Sequence, residues 1–353
     1  MGKTIDIGGR LVGSGQPTFV IAEASTNHNG DLARAKELVL AAKETGADCV
    51  KFQTFTPEEF CADHTKTFTY MSQGKEVTEI EFDMFKRLEF MADQWAELME
   101  FCENEEMLFL TTVQDPVNLA MLQKLGLKGI KVGSDDFDHL SYLTHYARTG
   151  LPLIISKGMA DLGEVDRVLN TLQPLTDKLM VMHCVSLYPT EPKFLNIRQV
   201  PKLAALYPDI VWGFSDHSQG TLGSTLAVAL GAKLIEKHFT LDHDLPGPDH
   251  WFSMDPAEMT QLVRNIRFAE VAMGTGDIAP AEGERESREI MRRRITARTD
   301  LPPGTVIDES NVEFKRAESG SFITYWDILK GQRLKSRRSK NEGIDFADID
   351  FGR

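Results

Sequence analysis

Gly213-Phe214-Ser215-Asp216-His217 and, one short helical stretch later, Ile235-Glu236-Lys237-His238-Phe239-Thr240 decide how this chain is read. Each is an apolar run that gives way to ionisable side chains, and each carries a histidine near its C-terminal limit. If the two are neighbouring parallel strands, their imidazoles stand side by side on one rim, where neutral rings can ligate a divalent metal. The rest of the chain has to supply that rim.

It does so by repetition. Six more apolar runs end in polar groups upstream: Phe19 to Ala22 before Glu23, Cys49 to Gln53, Met107 to Thr112, Gly129 to Ser134, Pro152 to Lys157 and Leu179 to Ser186. Helical patterns separate them, near Leu32 to Thr45, Gln94 to Asn104, Pro116 to Leu125, Leu140 to Arg148, Leu162 to Leu172, Ile197 to Tyr207 and Leu222 to Leu230, and another runs from Pro256 to Met273. Strands alternating with helices predict a parallel sheet, and the number eight favours a closed (β/α)8 TIM barrel over a doubly wound open sheet. No GxGxxG follows the first strand, so a dinucleotide site has no support. Asp31 is placed to cap the first helix. A short hairpin, Ile5 to Gly9 then Leu11-Val12, precedes the first strand, and Thr54 to Phe90 is an insertion that reads as a lid or a dimer contact.

The domain reading is a barrel over 1–275, a linker rich in Glu, Ala, Pro and Gly over 276–290, and a small, mostly β domain over 291–353, whose basic residues contrast with the acidic barrel. A net charge of −14 argues against nucleic acid or anionic membrane as partners. No apolar run reaches the roughly 18 residues of a membrane span, and the first residues lack the apolar core of a secretory leader. Cys49, Cys61, Cys102 and Cys184 show no CxxC spacing and read as reduced and buried, so the expected location is cytoplasmic.

Active sites of such barrels lie where the strands end. Reading only those ends gives Glu23, Lys51, Gln53, Thr112, Lys131, Ser134, Ser156, Lys157, Ser186, Tyr188, Ser215, Asp216, His217, Glu236, Lys237 and His238. A lone lysine there is usually a salt-bridge partner; donors at the end of nearly every strand are not explained that way. Lys51 and Lys131, with Ser134, Ser156, Ser186 and Ser215, are the residue types a phosphorylated carboxylate needs, because ammoniums neutralise charge and hydroxyls fill the phosphate lone-pair directions. His217 and His238, with carboxylates nearby and few thiols, suit Mn2+ or Mg2+ before structural zinc. Glu23 is placed as an acid or base or to hold a sugar hydroxyl, whereas His183 reads as structural.

These segments resemble the sialic acid synthases, phosphoenolpyruvate-condensing enzymes that make nine-carbon ulosonic acids. The resemblance runs through Ile21-Ala22-Glu23, Asn27-His28-Asn29-Gly30, Val50 to Thr54, Ile130 to Ser134, Ile155 to Met159, His183 to Pro189, Ser215-Asp216-His217, Ile235 to Thr240 and Pro246-Gly247-Pro248-Asp249. From about Met291 the tail is similar to that family's antifreeze-like (SAF) domain. The resemblance implies that His217 and His238 hold a divalent metal, typically Mn2+ with Mg2+ or Co2+ as substitutes, which polarises the open-chain aldehyde of an N-acylated hexosamine. It implies that Lys51 and Thr112 hold the phosphoenolpyruvate carboxylate, and Lys131, Ser134, Ser156, Ser186 and Ser215 its phosphate. Glu23, Gln53, Tyr188 and Asp249 would line the sugar or position water, and Arg316 would reach the partner's barrel in a domain-swapped homodimer.

The sequence also departs from the family pattern. Thr111-Thr112-Val113-Gln114 stands for the usual Ser-Thr-Pro-Phe, Ser134-Asp135-Asp136 for Ser-Gly-Glu, Lys157 for Thr, and Ser186 for the Asn of some members. The acceptor therefore stays open between N-acetylmannosamine, its 6-phosphate and the diacetylated sugars of legionaminic or pseudaminic acid, with the extra Lys157 pointing to a more anionic one. A two-histidine barrel hydrolase or aldolase, and a carbohydrate-binding or assembly protein, are the competing readings.

Overall fold

The computed structural model describes residues 2–352. Eight parallel strands close into a barrel in chain order: β1 (Phe19–Ser25), β2 (Cys49–Thr54), β3 (Leu108–Val113), β4 (Ile130–Val132), β5 (Leu153–Ser156), β6 (Leu179–Cys184), β7 (Val211–Asp216) and β8 (Leu234–His238), with β8 paired back to β1. The expected (β/α)8 architecture is the one found. Closure sets a register in which His238 sits opposite Glu23, and Glu23 opposite Lys51.

Side chains alternate between the two faces of each strand, and this alternation builds the site. Val20, Ala22, Val50, Phe52, Leu153, Ile155, Leu179 and Val181 face outward into the core shared with the helices. Phe19, Ile21, Cys49, Leu110, Ile154, Met180, Met182, Val211 and Leu234 pack inside the barrel, which Ile5, Ile7 and Val12 of the hairpin Thr4–Ile7 and Arg10–Gly13 help to fill. Continued toward the strand C-termini, the inward positions turn polar: Glu23, Lys51, Gln53, Thr112, Lys131, Ser156, Ser215, Glu236 and His238. The interior is tight below that layer, since a Cβ at Gly213 would lie 2.4 Å from the Leu234 side chain.

The helices pack outside. Over Leu32–Thr45, Asp31 accepts from the backbone N–H of Ala33 and Arg34, and Gly46 ends the helix at φ 82°, a left-handed conformation that glycine adopts without a Cβ penalty. Its buried stripe is Ala35, Leu38, Val39 and Ala42.

The insertion folds into an antiparallel hairpin, Thr67–Ser72 with Lys75–Ile80, and the helices Pro57–Phe60 and Glu81–Leu88. A small cluster of Phe55, Met84 and Leu88 holds it. Its tip is tied to the loop after β8, where Gln73 Nε2 donates to Asp244 O at 2.8 Å and the Gly247 N–H donates to Ser72 Oγ at 3.1 Å.

The barrel unit ends at Gly274 and a second unit begins at Thr275. The stretch read as a linker carries an exposed helix, Glu282–Met291. Two short antiparallel pairs follow, Arg294–Ala297 with Val312–Lys315 and Arg333–Leu334 with Ile349–Asp350. They enclose a core of its own that includes Ile295, Ile307, Leu334 and Ile344. All four cysteines are free and buried. Among the described residues no helix is long and apolar enough to cross a membrane.

Candidate active site

Glu23, Lys51, Gln53, Thr112, Lys131, Ser134, Ser156, Ser186, Tyr188, Ser215, His217 and His238 line one cavity of about 300 Å3 at the strand C-termini. Asp249 lines an adjoining cavity of about 410 Å3, which shares Gln53, Tyr188 and His238 with the first. Arg316 belongs to the second unit, where it is exposed and its Nε donates to Met291 O at 3.1 Å.

The floor is a buried charge network. Lys51 Nζ lies 2.7 Å from Glu23 Oε2, donates to Thr112 Oγ1 at 2.8 Å and stands 3.7 Å from Glu236 Oε2. Lys131 Nζ is 3.4 Å from Glu236 Oε1, which also accepts from Ser215 Oγ at 2.9 Å. Glu23, Lys51 and Lys131 are each only 2% exposed, so these pairs interact with little water between them. Burial pushes Glu23 up to about 7 against the pull of Lys51. The same burial acts on Glu236, but Lys131 and Lys51 together outweigh it and hold that carboxyl down at about 2. Near neutral pH the floor therefore carries two ammoniums, one firm carboxylate and one carboxyl that readily takes a proton.

Beside Lys131 the wall is made of hydroxyls. Ser156 Oγ and Ser186 Oγ are buried without a hydrogen-bond partner, a costly state unless a ligand supplies one. The Gly158 N–H donates to Ser134 Oγ at 2.9 Å. A Cβ at Gly158 would meet Ser186 Oγ at 2.4 Å and Ser134 Oγ at 2.5 Å, so a side chain there would fill the space the two hydroxyls share. Bare backbone, free hydroxyls and an ammonium together form a cradle for a tetrahedral anion.

The opposite wall holds the histidines. The His217 and His238 ring centroids are 5.4 Å apart, and Tyr188 lies 4.1 Å from His217 and 5.9 Å from His238. His217 Nδ1 sits 2.8 Å from Val185 O, which fixes a proton on Nδ1 and turns Nε2 to the metal side; burial works to lower the ring's pKa, but Cys184 and this carbonyl outweigh it and raise it. Burial, with His217 adding to it, holds His238 well below the usual imidazole range, so the ring is neutral, and its buried Nδ1 has no hydrogen-bond partner. Two imidazoles on one wall, His238 neutral and His217 once it gives up its Nε2 proton, fit a divalent ion and leave most of its coordination positions for other ligands. Asp249, raised by burial, lies 3.7 Å from His238 Nδ1 and accepts from Ser25 Oγ at 2.6 Å. Ser25 in turn accepts from Gln53 Nε2 at 2.9 Å, and Gln53 Nε2 also reaches Glu23 Oε1 at 3.2 Å. A second metal-capable group, His243, Asp255 and Glu258, lies outside this rim. Its two carboxylates cap the helix Pro256–Ala272, each accepting from the other's backbone N–H.

Strand parity corrects one reading. Lys157 continues the outward set of Leu153 and Ile155, and its Nζ donates to Gln199 Oε1 at 2.7 Å instead of lining the rim. It gives no reason to expect an anionic acceptor. Asp216 and Lys237 share that outward parity and form a buried pair at 3.0 Å. His183 is structural as expected, its Nε2 2.7 Å from Leu195 O. Glu236, which the sequence reading placed at a strand end without a role, is the hub of the floor, and its parity with Leu234 was the available signal. Ser25 follows Ile21 and Glu23 in the same way. Gln114 and Asp135, at two of the departures from the family pattern, meet each other, Nε2 to Oδ2 at 3.3 Å.

Comparison with known proteins adds three findings. Residues 38–278 match the model of the NeuB family, and residues 292–350 match the SAF domain. The chain is 40% identical to the N,N'-diacetyllegionaminic acid synthase of Legionella pneumophila over 93% of both chains, and 35% identical to the human N-acetylneuraminate-9-phosphate synthase over 89% of this chain and 87% of that one. It superposes on the N-acetylneuraminic acid (sialic acid) synthetase of Leptospira borgpetersenii, solved with citrate, with a TM-score of 0.74 and 31% identity over 82% of this chain and 96% of that one.

Proposed function

The chain belongs to the NeuB family, and on that premise we propose that it condenses phosphoenolpyruvate with the open-chain form of an N-acyl hexosamine to give a nine-carbon ulosonic acid and orthophosphate. The observation that carries this reading is a single cavity with two buried ammoniums and unpartnered hydroxyls on one side and two facing imidazoles on the other. A phosphorylated carboxylate and an aldehyde are the pair of groups such a cavity suits.

In this reading Lys51 and Thr112 hold the phosphoenolpyruvate carboxylate. Lys131, Ser134, Ser156, Ser186 and Ser215 hold its phosphate, with the Gly158 N–H beside them. Fixing both ends aims the enol carbon at the histidine wall, which removes much of the entropic cost of the encounter. A divalent ion held by His217 and His238, Mn2+ before Mg2+ or Co2+, supplies Lewis-acid polarisation of the acceptor carbonyl when bound. The new carbon–carbon bond forms from the enol carbon, and the carbonyl oxygen takes up a proton. Water adds to the neighbouring carbon, and the C–O bond to phosphate breaks, the bridging oxygen leaving with phosphorus. Glu23, with a carboxyl near 7, is suited to exchange the proton these steps move. The Lys51 and Lys131 ammoniums offset the negative charge on the leaving phosphate.

Gln53, Tyr188 and Asp249 would line the acceptor. We assign Arg316 of the SAF domain to the acceptor of a second subunit in a domain-swapped homodimer, and take the four free buried cysteines as those of a cytoplasmic enzyme. The test is orthophosphate release from phosphoenolpyruvate in the presence of Mn2+, with and without an N-acyl hexosamine. Release that needs all three components supports the reading, and release without sugar refutes it.

A further inference from the structure

The adjoining cavity describes the other end of the acceptor. Gln53, Tyr188 and His238 are common to both cavities, so a molecule whose carbonyl lies at the histidines extends its remaining carbons into the space of about 410 Å3 beyond. That space is walled by the insertion hairpin on one side and by the short helix His250–Phe252 on the other. Phe68, Met71, Phe85, Trp251 and Phe252 supply its apolar lining, beside polar groups of Thr26, Thr69, Tyr70 and Gln53.

Besides the tyrosines Tyr70 and Tyr188, its ionisable residues are His238, Glu76 and Asp249, and among the described residues of its wall there is neither a lysine nor an arginine. Cations do lie behind the hairpin, where Arg34, Lys75 and Arg87 line another cavity. Tyr70 and Pro248 line both spaces and form the partition between them. Arg87 is also committed, donating to both carboxylate oxygens of Glu79 at 2.8 and 2.9 Å. Even with one guanidinium from Arg316 of a second subunit, two carboxyl-bearing residues, Glu76 and Asp249, face the same space.

We propose that the acceptor is unphosphorylated and carries apolar substituents, an acyl methyl or a deoxy carbon, at the end remote from its carbonyl, and that Phe68 and Glu76 of the hairpin select for this. The inference rests on the condensation reading, because it takes the carbonyl end to lie at the histidines. A sugar phosphate would bring a dianion to a wall of aromatics and two carboxyl-bearing side chains with one guanidinium of a second subunit at most to offset it, whereas a second acetamido group buries its methyl there and leaves its amide to the polar lining. Discrimination by one apolar group in such a pocket is worth roughly 10- to 200-fold. Rejection of the unpaired phosphate adds at least about 100-fold.

The experiment compares kcat/KM for three acceptors at saturating phosphoenolpyruvate and Mn2+: N-acetylmannosamine, its 6-phosphate, and a 2,4-diacetamido-2,4,6-trideoxyhexose. The expected order places the diacetamido sugar first and the 6-phosphate last. Phe68→Ala narrows the preference for the diacetamido sugar over N-acetylmannosamine by at least about 10-fold. Glu76→Lys raises the ratio of 6-phosphate to N-acetylmannosamine use by a similar factor. Both positions are exposed hairpin residues, so the barrel fold is preserved in these variants. A 6-phosphate that proves the best acceptor, or ratios that neither substitution moves, overturns the inference while leaving the condensation intact. Absence of phosphate release with every acceptor overturns the condensation and this inference with it.

Discussion

Replacing Lys131 with methionine keeps the side chain's apolar stem and removes its ammonium. In the native site that ammonium is 3.4 Å from Glu236 Oε1, while Lys51 is 3.7 Å from the carboxylate's other oxygen. At an effective dielectric of about 20, a pair at the first of these distances attracts by about 5 kcal/mol before desolvation is counted. The variant leaves Glu236 buried with one cation instead of two, and breaking a buried pair in this way costs about 3–5 kcal/mol of folding stability. Incoming phosphate loses the same ammonium. Truncating one partner of a desolvated charge pair costs roughly 2–5 kcal/mol, which converts to a fall of about 30- to 5,000-fold in kcat/KM for phosphoenolpyruvate. The assay is orthophosphate release against phosphoenolpyruvate concentration at saturating acceptor and Mn2+, with urea unfolding run beside it. Lys131→Arg restores the charge and should recover part of both losses. A folded Lys131→Met enzyme whose kcat/KM lies within threefold of the parent would refute the assignment of Lys131 to the phosphate, and would favour a hydrolase or aldolase that does not use phosphoenolpyruvate.

Other perturbations separate the parts of the site. With both His217 and His238 changed to alanine, turnover should be lost at every Mn2+ concentration while phosphoenolpyruvate still binds within a few-fold, as read by calorimetry; lost binding would mean that the histidines hold the wrong substrate. The fold holds Glu23 above its ordinary 4.5, at about 7, so its contribution to stability is fully present below pH 4.5 and declines as pH rises through 7. Glu23→Gln should flatten the loss of stability between about pH 4.5 and 7, and an unchanged slope in urea titrations would contradict the burial argument. His28 shows the opposite sign. Burial holds it at about 3, its Nδ1 accepts from the Gly30 N–H at 3.1 Å and its ring lies 4.1 Å from Phe90, so the stabilising neutral form is lost as pH falls from 6.5 toward 3. In His28→Phe the acid-side slope should be shallower by up to about 1.4 kcal/mol per pH unit, whatever the substitution costs at neutral pH.

The barrel was legible because its strands are buried on both faces and stand out as apolar runs between helical patterns. The rim was legible because the polar residues closing those runs are few and specific. What failed at Lys157 was the use of strand ends without strand parity: one residue of offset turns a side chain from the cavity to the helix layer. The hairpin of Thr67–Ser72 and Lys75–Ile80 left little signal, because it alternates charges with exposed apolar groups and depends on a small cluster of its own. The contact of Ser25 with Asp249, separated by 224 residues, arises only on closure, and that of Gln114 with Asp135 joins the ends of two neighbouring strands, so no local pattern announces either. The two departures from the family pattern at Gln114 and Asp135 looked independent in the sequence and are one hydrogen bond in the fold.

The central claim is that this cavity breaks the C–O bond of phosphoenolpyruvate while joining its carbon skeleton to an aldehyde. The most direct measurement is the reaction run in 18O-labelled water with phosphoenolpyruvate, Mn2+ and an N-acyl hexosamine, with the released orthophosphate and the sugar acid analysed by mass. The account predicts unlabelled orthophosphate formed in step with a nine-carbon acid. Orthophosphate carrying solvent 18O, or formed without the acid, would contradict it.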